Sequence, residues 1–111
     1  MLPHEDAAAV GEELSRRFGL ERWQFALTGR DANRWVLRMA RQATGRPKVL
    51  VFSYCYHGSV DESFVVLEKG RPRSRPGNVG PRGRPPSVTA EVVEFNDLAA
   101  IERALVPGAV A

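Results

Sequence analysis

Two long segments of the chain repeat their apolar residues at the spacing of an amphipathic helix. In residues 5–18 the apolar positions are three or four residues apart: Ala7, Val10, Leu14 and Phe18. Gly19 follows as a candidate C-cap, so this segment predicts a first helix. A second helix is predicted from Asp31 to Ala43, with an apolar stripe of Ala32, Trp35, Val36, Met39, Ala40 and Ala43. Thr28 and Asp31 match the Ser/Thr-x-x-Asp/Glu capping box, which marks where that helix begins.

Three shorter apolar segments predict strands. Residues 22–27 are rich in aromatic side chains and begin with apolar–polar alternation, which predicts a short strand that stops at Thr28 and Gly29. Residues 48–54, KVLVFSY, are β-branched and aromatic and are apolar on both faces at their centre. A strand buried on both faces is typical of a parallel sheet covered by helices. Residues 88–95 alternate well enough to predict a third strand.

The remaining segments predict turns and short helices. Residues 61–68 fit a short helix, and residues 98–105 fit a last helix capped by Asn96 or Asp97. Residues 70–87 hold four of the ten glycines and five of the eight prolines, which predicts a long irregular loop rather than helix or strand. Residues 109–111 resemble the beginning of another strand.

The order of these elements indicates the fold class. Strands that alternate with helices indicate an α/β layer with a mainly parallel sheet flanked by helices. The 111 residues suit one domain. The first helix has no evident packing partner, and residues 109–111 stop where a buried strand should begin. We therefore expect residues 1–111 to be part of a larger domain.

The positive charge of the chain is concentrated in the irregular loop. Lys and Arg number 16 and Asp and Glu 13, a net charge of +3. Residues 70–87 contain five arginines and no acid, so removing those five charges from the net +3 leaves −2 for the remainder. The loop arginines are Arg71, Arg73, Arg75, Arg82 and Arg84. A weak, salt-sensitive nucleic-acid contact is one interpretation, but a solvated loop is favoured because no aromatic residue there could stack on bases.

Two loops could carry chemistry. Thr28-Gly29-Arg30 precedes the second helix, where free amide groups and the positive end of the helix dipole favour an anion such as a phosphate. A plain capping box on an ordinary helix is the alternative interpretation. Tyr56 and His57 follow the strongest predicted strand, at the end where open α/β sheets place ligands. Tyr56 could stack on a flat heterocycle there, or it could close the top of the core.

Other classes of chemistry are disfavoured by the residues present. A single cysteine, Cys55, excludes an internal disulfide and a cysteine-based zinc site, and it favours a cytoplasmic location. The two histidines, His4 and His57, have no partner at the spacing of a metal site. No apolar run is long enough to span a membrane. We therefore predict no metal site and no membrane contact.

Three motifs at their separations along the chain resemble one enzyme family. These are the segments 43–48 (ATGRPK), 56–58 (YHG) and 95–97 (FND). Together they resemble the class III, fold type I, pyridoxal 5′-phosphate (PLP) dependent aminotransferases, a family that includes the glutamate-1-semialdehyde aminomutases. The similarity extends from about residue 8 to residue 111. It implies the large, cofactor-binding domain of a PLP enzyme, and a homodimer.

The resemblance implies roles for particular residues. The phosphate-binding turn of the family falls on Thr28, Gly29 and Arg30, and the aromatic residue that stacks on the pyridine ring falls on Tyr56, with His57 beside it. Arg30 stands where the family has a small hydroxyl residue, so it either pairs with the phosphate or obstructs it. The lysine that forms the Schiff base and the acid that binds the pyridinium lie beyond this stretch in the family. The chain is therefore expected to hold part of the PLP site, to have no catalytic residue of its own and to be inactive alone.

Amino-group transfer by the intact enzyme, as a transaminase or an aminomutase, is thus the predicted function. The alternatives are a non-enzymatic interaction module, in which bare strand edges favour self-association, and a weak nucleic-acid binder that uses Arg71 to Arg84.

Overall fold

The computed structural model describes residues 4–75, 77 and 83–111. Two long helices come first: α1 spans Glu5–Phe18 and α2 spans Gly29–Thr44. Two short helices follow the basic segment, with α3 at Pro86–Thr89 and α4 at Leu98–Ala104. None of the helices in these ranges is long and apolar enough to cross a membrane.

The strands form one parallel pair and one antiparallel hairpin. β1 (Val49–Phe52) lies parallel to β4 (Ala90–Val93), which confirms the parallel sheet flanked by helices. β2 (Val65–Glu68) and β3 (Arg71–Ser74) pair antiparallel across a two-residue turn. Both turn residues, Lys69 and Gly70, have positive φ angles of 49° and 73°. Such angles are those of the type I′ turn, whose twist suits a hairpin.

The core lies where the parallel pair meets the hairpin. Its buried members are small and mostly β-branched: Val49, Val51, Val65, Ala90 and Val92. Leu37 of α2 packs against this cluster, as does Ala111. The amide of Ala111 also donates to the carbonyl of Lys48, so the last residue runs beside the start of β1.

The predicted caps at Gly19 and Asp97 are confirmed, and Gly45 closes α2 in the same way as Gly19 closes α1. Gly19 and Gly45 adopt left-handed φ angles of 68° and 69° after α1 and α2, where they close the last helical turn. Asp97 accepts a hydrogen bond from the amide of Ala100 and so caps α4. Helices α1, α2 and α4 therefore lie where the sequence places them, within two residues at the start of α2 and one at its end.

The predicted strand at residues 22–27 is wrong, because this segment is irregular and pairs with no strand of the described chain. Trp23, one of its two aromatic residues, packs locally instead. The Trp23 indole N–H donates to Ser15 Oγ and to the Leu20 carbonyl, and its ring lies 5.9 Å from that of Phe18. The turn at Thr28 consequently follows no strand, contrary to expectation.

The interpretations of residues 61–68 and 70–87 need correction as well. A single 3₁₀ turn occupies Asp61–Ser63, and β2 replaces the rest of the predicted helix. The predicted irregular loop contains β3 and α3, whereas residues 76 and 78–82, including Arg82, lie outside the described residues. Within the described sheets β3 pairs with β2 alone, and an edge strand of this kind tolerates Pro72.

The apolar stripe of α2 is largely exposed. Trp35, Val36 and Met39 keep 54%, 57% and 54% of their surface accessible, and no residue of α2 is buried. The helix instead meets the core through Leu37, which lies beside that stripe.

Candidate functional site

The turn before α2 is capped by the Thr28 side chain, which exchanges two hydrogen bonds with Asp31. Thr28 Oγ accepts a hydrogen bond from the Asp31 amide at 3.2 Å and donates to Asp31 Oδ2 at 2.7 Å. The capping interpretation of this motif is therefore confirmed. The exposed residues Gly29 and Arg30 begin the helix, and the first amide groups of a helix have no partner within it.

The second candidate loop follows the end of β1. The chain turns after Phe52, whose carbonyl accepts the amide of Cys55 at 3.2 Å. Tyr56 and His57 come next and are exposed, with 65% of the Tyr56 surface accessible. The Tyr56 ring is therefore available to a ligand rather than enclosed in the core.

These two loops are in contact. Asn33, in the first turn and a half of α2, donates from Nδ2 to the carbonyl of His57 at 2.8 Å. Gly58 lies against Arg30 so closely that a Cβ on Gly58 would be 2.8 Å from the Arg30 Cα. Thus the backbone after Tyr56 is seated on the first turn of α2, next to Thr28.

Hydrogen bonds to the Gly58 carbonyl also hold this loop in place. The carbonyl of Gly58 accepts hydrogen bonds from the Val60 amide and from Ser63 Oγ, both at 2.9 Å. Ser63 is 2% exposed, and Val60 is a member of the buried apolar set. We call the contact of Asn33 and Arg30 with residues 57–58 the joint. A cavity of about 200 Å³ borders the joint and is lined by Asn33 and His57 together with apolar side chains of α2 and β1.

Neither lysine of the chain lies at the two loops. Lys48 precedes β1, at the opposite end of that strand from Tyr56, and its Nζ is 3.2 Å from Glu91 Oε2. Lys69 occupies the hairpin turn between β2 and β3. That the chain supplies no lysine for covalent attachment of a cofactor stays a prediction.

The arginines of the basic segment have separate environments. Arg73 Nε lies 3.7 Å from Glu68 Oε2 across the hairpin, and the Arg75 guanidinium lies 5.6 Å from the centre of the Tyr54 ring. Each contact engages one arginine with a local partner. The described part of the segment therefore offers less free positive charge than its composition implies.

Sequence reasoning missed three residues at the joint. Asn33 was overlooked because its neighbours on α2 define the apolar stripe, and Ser63 because residues 61–68 fit a helix. Gly58 stood in the predicted loop, but nothing in the sequence indicates that Arg30 would lie against it. Long-range contacts of this kind leave no local pattern.

Comparison with known proteins gives consistent relatives, although no family model matches the chain. The glutamate-1-semialdehyde 2,1-aminomutase of Polaromonas sp. (strain JS666 / ATCC BAA-500) is 36% identical over 105 residues, covering 92% of this chain and 23% of that protein. The corresponding protein of Chloroflexus aurantiacus is 39% identical over 81 residues, which is 71% of this chain and 18% of that protein. The chain thus spans about a quarter of the length of the curated relatives it matches.

Solved structures give the same result. A glutamate-1-semialdehyde aminomutase from Pseudomonas aeruginosa PAO1, solved in complex with PMP, matches 99% of this chain and 24% of its own with a TM-score of 0.87 and 53% identity. An omega-transaminase from Sphaerobacter thermophilus matches 92% of this chain and 25% of its own with a TM-score of 0.71 and 33% identity. Sequence and fold together show that the chain belongs to the class III PLP-dependent aminotransferase family.

Proposed function

We propose that this chain supplies part of the PLP site of an enzyme that transfers amino groups, as a transaminase or an aminomutase. The observation that carries the proposal is the seating of the loop after Tyr56 on the first turn of α2, through Asn33 and Gly58. Phosphate-binding and ring-binding groups are thereby neighbours. The complex of the Pseudomonas aeruginosa relative with PMP supports this assignment.

The groups at the start of α2 suit a phosphate. Gly29 has open space around its Cα, which allows an anion to approach the backbone closely. Arg30 adds a guanidinium that can donate two hydrogen bonds to one phosphate. The Thr28 hydroxyl already donates to Asp31, so it can bind a phosphate only by exchanging that bond. We therefore assign the phosphate chiefly to the amides of Gly29 and Arg30 and to the Arg30 side chain.

The loop after β1 suits the ring. Tyr56 has an accessible aromatic face that can stack on a pyridine, and His57 lies beside it with its carbonyl held by Asn33. PLP, once bound, supplies the electron sink for amino-group chemistry. The chain would bind and orient the cofactor, and neither Lys48, before β1, nor Lys69, in the hairpin turn, belongs to the joint.

A titration with pyridoxamine 5′-phosphate tests the proposal, because this ligand carries no aldehyde to react with lysines. We expect weak, saturable binding whose NMR shift changes concentrate at residues 28–32 and 56–58. Tyr56→Ala should weaken binding by about tenfold, the value of one aromatic stacking contact. Tyr54→Ala is the matched control, since Tyr54 is 60% exposed and is paired with Arg75 instead. Shift changes confined to other residues would contradict the assignment.

Reduction of a PLP mixture with borohydride provides a second test. We expect neither Lys48 nor Lys69 to be labelled stoichiometrically, and no transamination by the chain alone. Stoichiometric labelling of either lysine accompanied by turnover would overturn the assignment of the chain to half of the cofactor site.

The homodimer implied by the family and the cytoplasmic location predicted from Cys55 remain predictions. Nucleic-acid binding through Arg71 to Arg84 is not favoured, because Arg73 and Arg75 have local partners. A salt titration with a random oligonucleotide tests this, and we expect no binding at low ionic strength.

A further inference from the structure

We infer that Gly58 and Asn33 are positioning residues, which hold the loop carrying Tyr56 on the first turn of α2 and so fix the separation between ring-binding and phosphate-binding groups. This inference rests on the proposed function. Neither residue needs to touch the cofactor in this role, because both act on the backbone of the loop.

Gly58 allows the loop to approach α2. Its φ angle is 86°, and a Cβ there would be 2.8 Å from both Cα and Cβ of Arg30. Real Cβ atoms do not come that close to other atoms, so any larger residue must separate the loop from the helix. Gly108 has a similar φ angle of 95°, but a Cβ on Gly108 would meet no atom within 4 Å. Substitution of Gly108 therefore reproduces the backbone strain without the collision.

Asn33 provides the attractive contact. Its Nδ2 donates to the His57 carbonyl at 2.8 Å, between residues 24 apart in the chain. Asn33 is half-buried on the 16-residue helix α2, whose start is fixed by Thr28. The Asn33 side chain thus fixes the His57 carbonyl, next to Tyr56, relative to helix α2.

Ser63 provides a second contact to the loop. Its Oγ, on a residue that is 2% exposed, lies 2.9 Å from both the Gly58 and the Val60 carbonyl oxygens, which share its one hydroxyl proton. Gly58 therefore contacts a buried hydroxyl as well as the backbone of Arg30. A displacement of the loop by about 1 Å can substantially misplace the ring-binding groups relative to the phosphate-binding groups.

Two variants and two matched controls test the inference. Gly58→Ala introduces the collision, and Gly108→Ala is its control for backbone strain. Asn33→Leu removes the donor while keeping the branched shape of the side chain and adding no charge, and Gln42→Leu is its control at an exposed position further along α2. Each variant is measured with two ligands, pyridoxamine 5′-phosphate and inorganic phosphate, and by hydrogen exchange of residues 54–60.

We expect Gly58→Ala and Asn33→Leu to weaken pyridoxamine 5′-phosphate binding by about tenfold and to change the affinity for inorganic phosphate less than about twofold. Exchange in residues 54–60 should accelerate in both variants and in neither control. Equal losses for both ligands would indicate general damage to the fold and would overturn the inference, as would variants that match their controls. If the wild-type chain bound neither ligand, the proposed function would fail, whereas unchanged exchange in both variants would refute the positioning contacts themselves.

Discussion

Arg41 of α2 and Glu62 of the 3₁₀ turn form an ion pair of 2.7 Å whose side chains are only 28% and 14% exposed. Arg41 also donates from Nε to the Pro47 carbonyl at 2.8 Å and from Nη2 to the Thr89 carbonyl at 3.4 Å. One guanidinium therefore joins α2 to three separate segments. The pair fixes α2 next to the turn that supports the loop after Tyr56.

We expect Glu62→Gln to lower the free energy of unfolding by about 2 kcal/mol, because it leaves the half-buried Arg41 without its charged partner. Urea unfolding of the two proteins measures the difference. Glu68→Gln is the matched control, since the Glu68–Arg73 pair is 64% exposed on both sides and 3.7 Å long. That variant should lose less than about 0.5 kcal/mol. Equal losses of unfolding free energy in Glu62→Gln and Glu68→Gln would contradict the role of the Arg41–Glu62 pair in fixing α2 to the 3₁₀ turn.

The sequence predicts α1, α2 and α4, because their signals are local, but it does not predict α3. Thr28 with Asp31 and the glycines 19 and 45 mark helix ends through contacts within a few residues. The parallel pairing of β1 with β4 was also predictable, since the apolar character of residues 48–54 indicates burial on both faces. Local capping and composition carry this information without knowledge of the tertiary structure.

The hairpin and the joint between the loops were not predictable in the same way. The β-branched residues 65–67 fit a strand, but the turn at Lys69 and Gly70 has no Asn-Gly or Asp-Gly signature. The contacts of Gly58 with Arg30 and of Asn33 with His57 depend on how α2 packs beside β1. The family resemblance predicts which residues bind the ring and the phosphate, but only the structure reveals what holds their loops together.

Thr28→Ala should destabilise the chain by about 1 kcal/mol, because the amide of Asp31 loses its acceptor at the start of α2. Thr28→Ser retains the hydroxyl and should cost only a small part of that amount. Thr44→Ala serves as the comparison at the opposite end of the helix, where the hydroxyl donates to the Ala40 carbonyl and accepts from the Arg46 amide. Thermal unfolding followed by circular dichroism measures the three variants. A Thr28→Ala protein as stable as Thr28→Ser would contradict the capping role.

The carboxylate of Glu13, on α1, makes a pH-dependent contribution to the free energy of unfolding. Arg16 first, and Arg17 second, lower the pKa of Glu13 below its ordinary value through side-chain hydrogen bonds. A lowered pKa in the folded state means that the contribution is present above the ordinary pKa and is lost as the pH falls through the lowered value. Arg16→Gln should therefore raise the Glu13 pKa towards its ordinary value, as followed by NMR titration of the side-chain carboxyl. Arg22→Gln, outside α1, should leave that pKa unchanged.

The exposed apolar face of α2 should make the chain self-associate. Trp35, Val36 and Met39 are each more than half accessible on adjacent positions of one helix surface. Contiguous apolar surface of this kind favours association because its burial removes it from water. We expect the average mass in sedimentation equilibrium to rise with protein concentration. The double variant Trp35→Glu, Met39→Glu should suppress that rise.

The control for this variant adds charge elsewhere on the same helix. Gln42→Glu together with Arg38→Glu changes two exposed polar positions of α2 and leaves Trp35 and Met39 in place. If association depends on the apolar face, this control should associate as the wild-type chain does, apart from an effect that added salt removes. Loss of association in both double variants at low salt, restored in both at high salt, would show that charge on α2, rather than its apolar face, governs the contact. Association that persists in the Trp35→Glu, Met39→Glu protein would assign the contact to another part of the chain, such as the exposed Phe95 and Leu98.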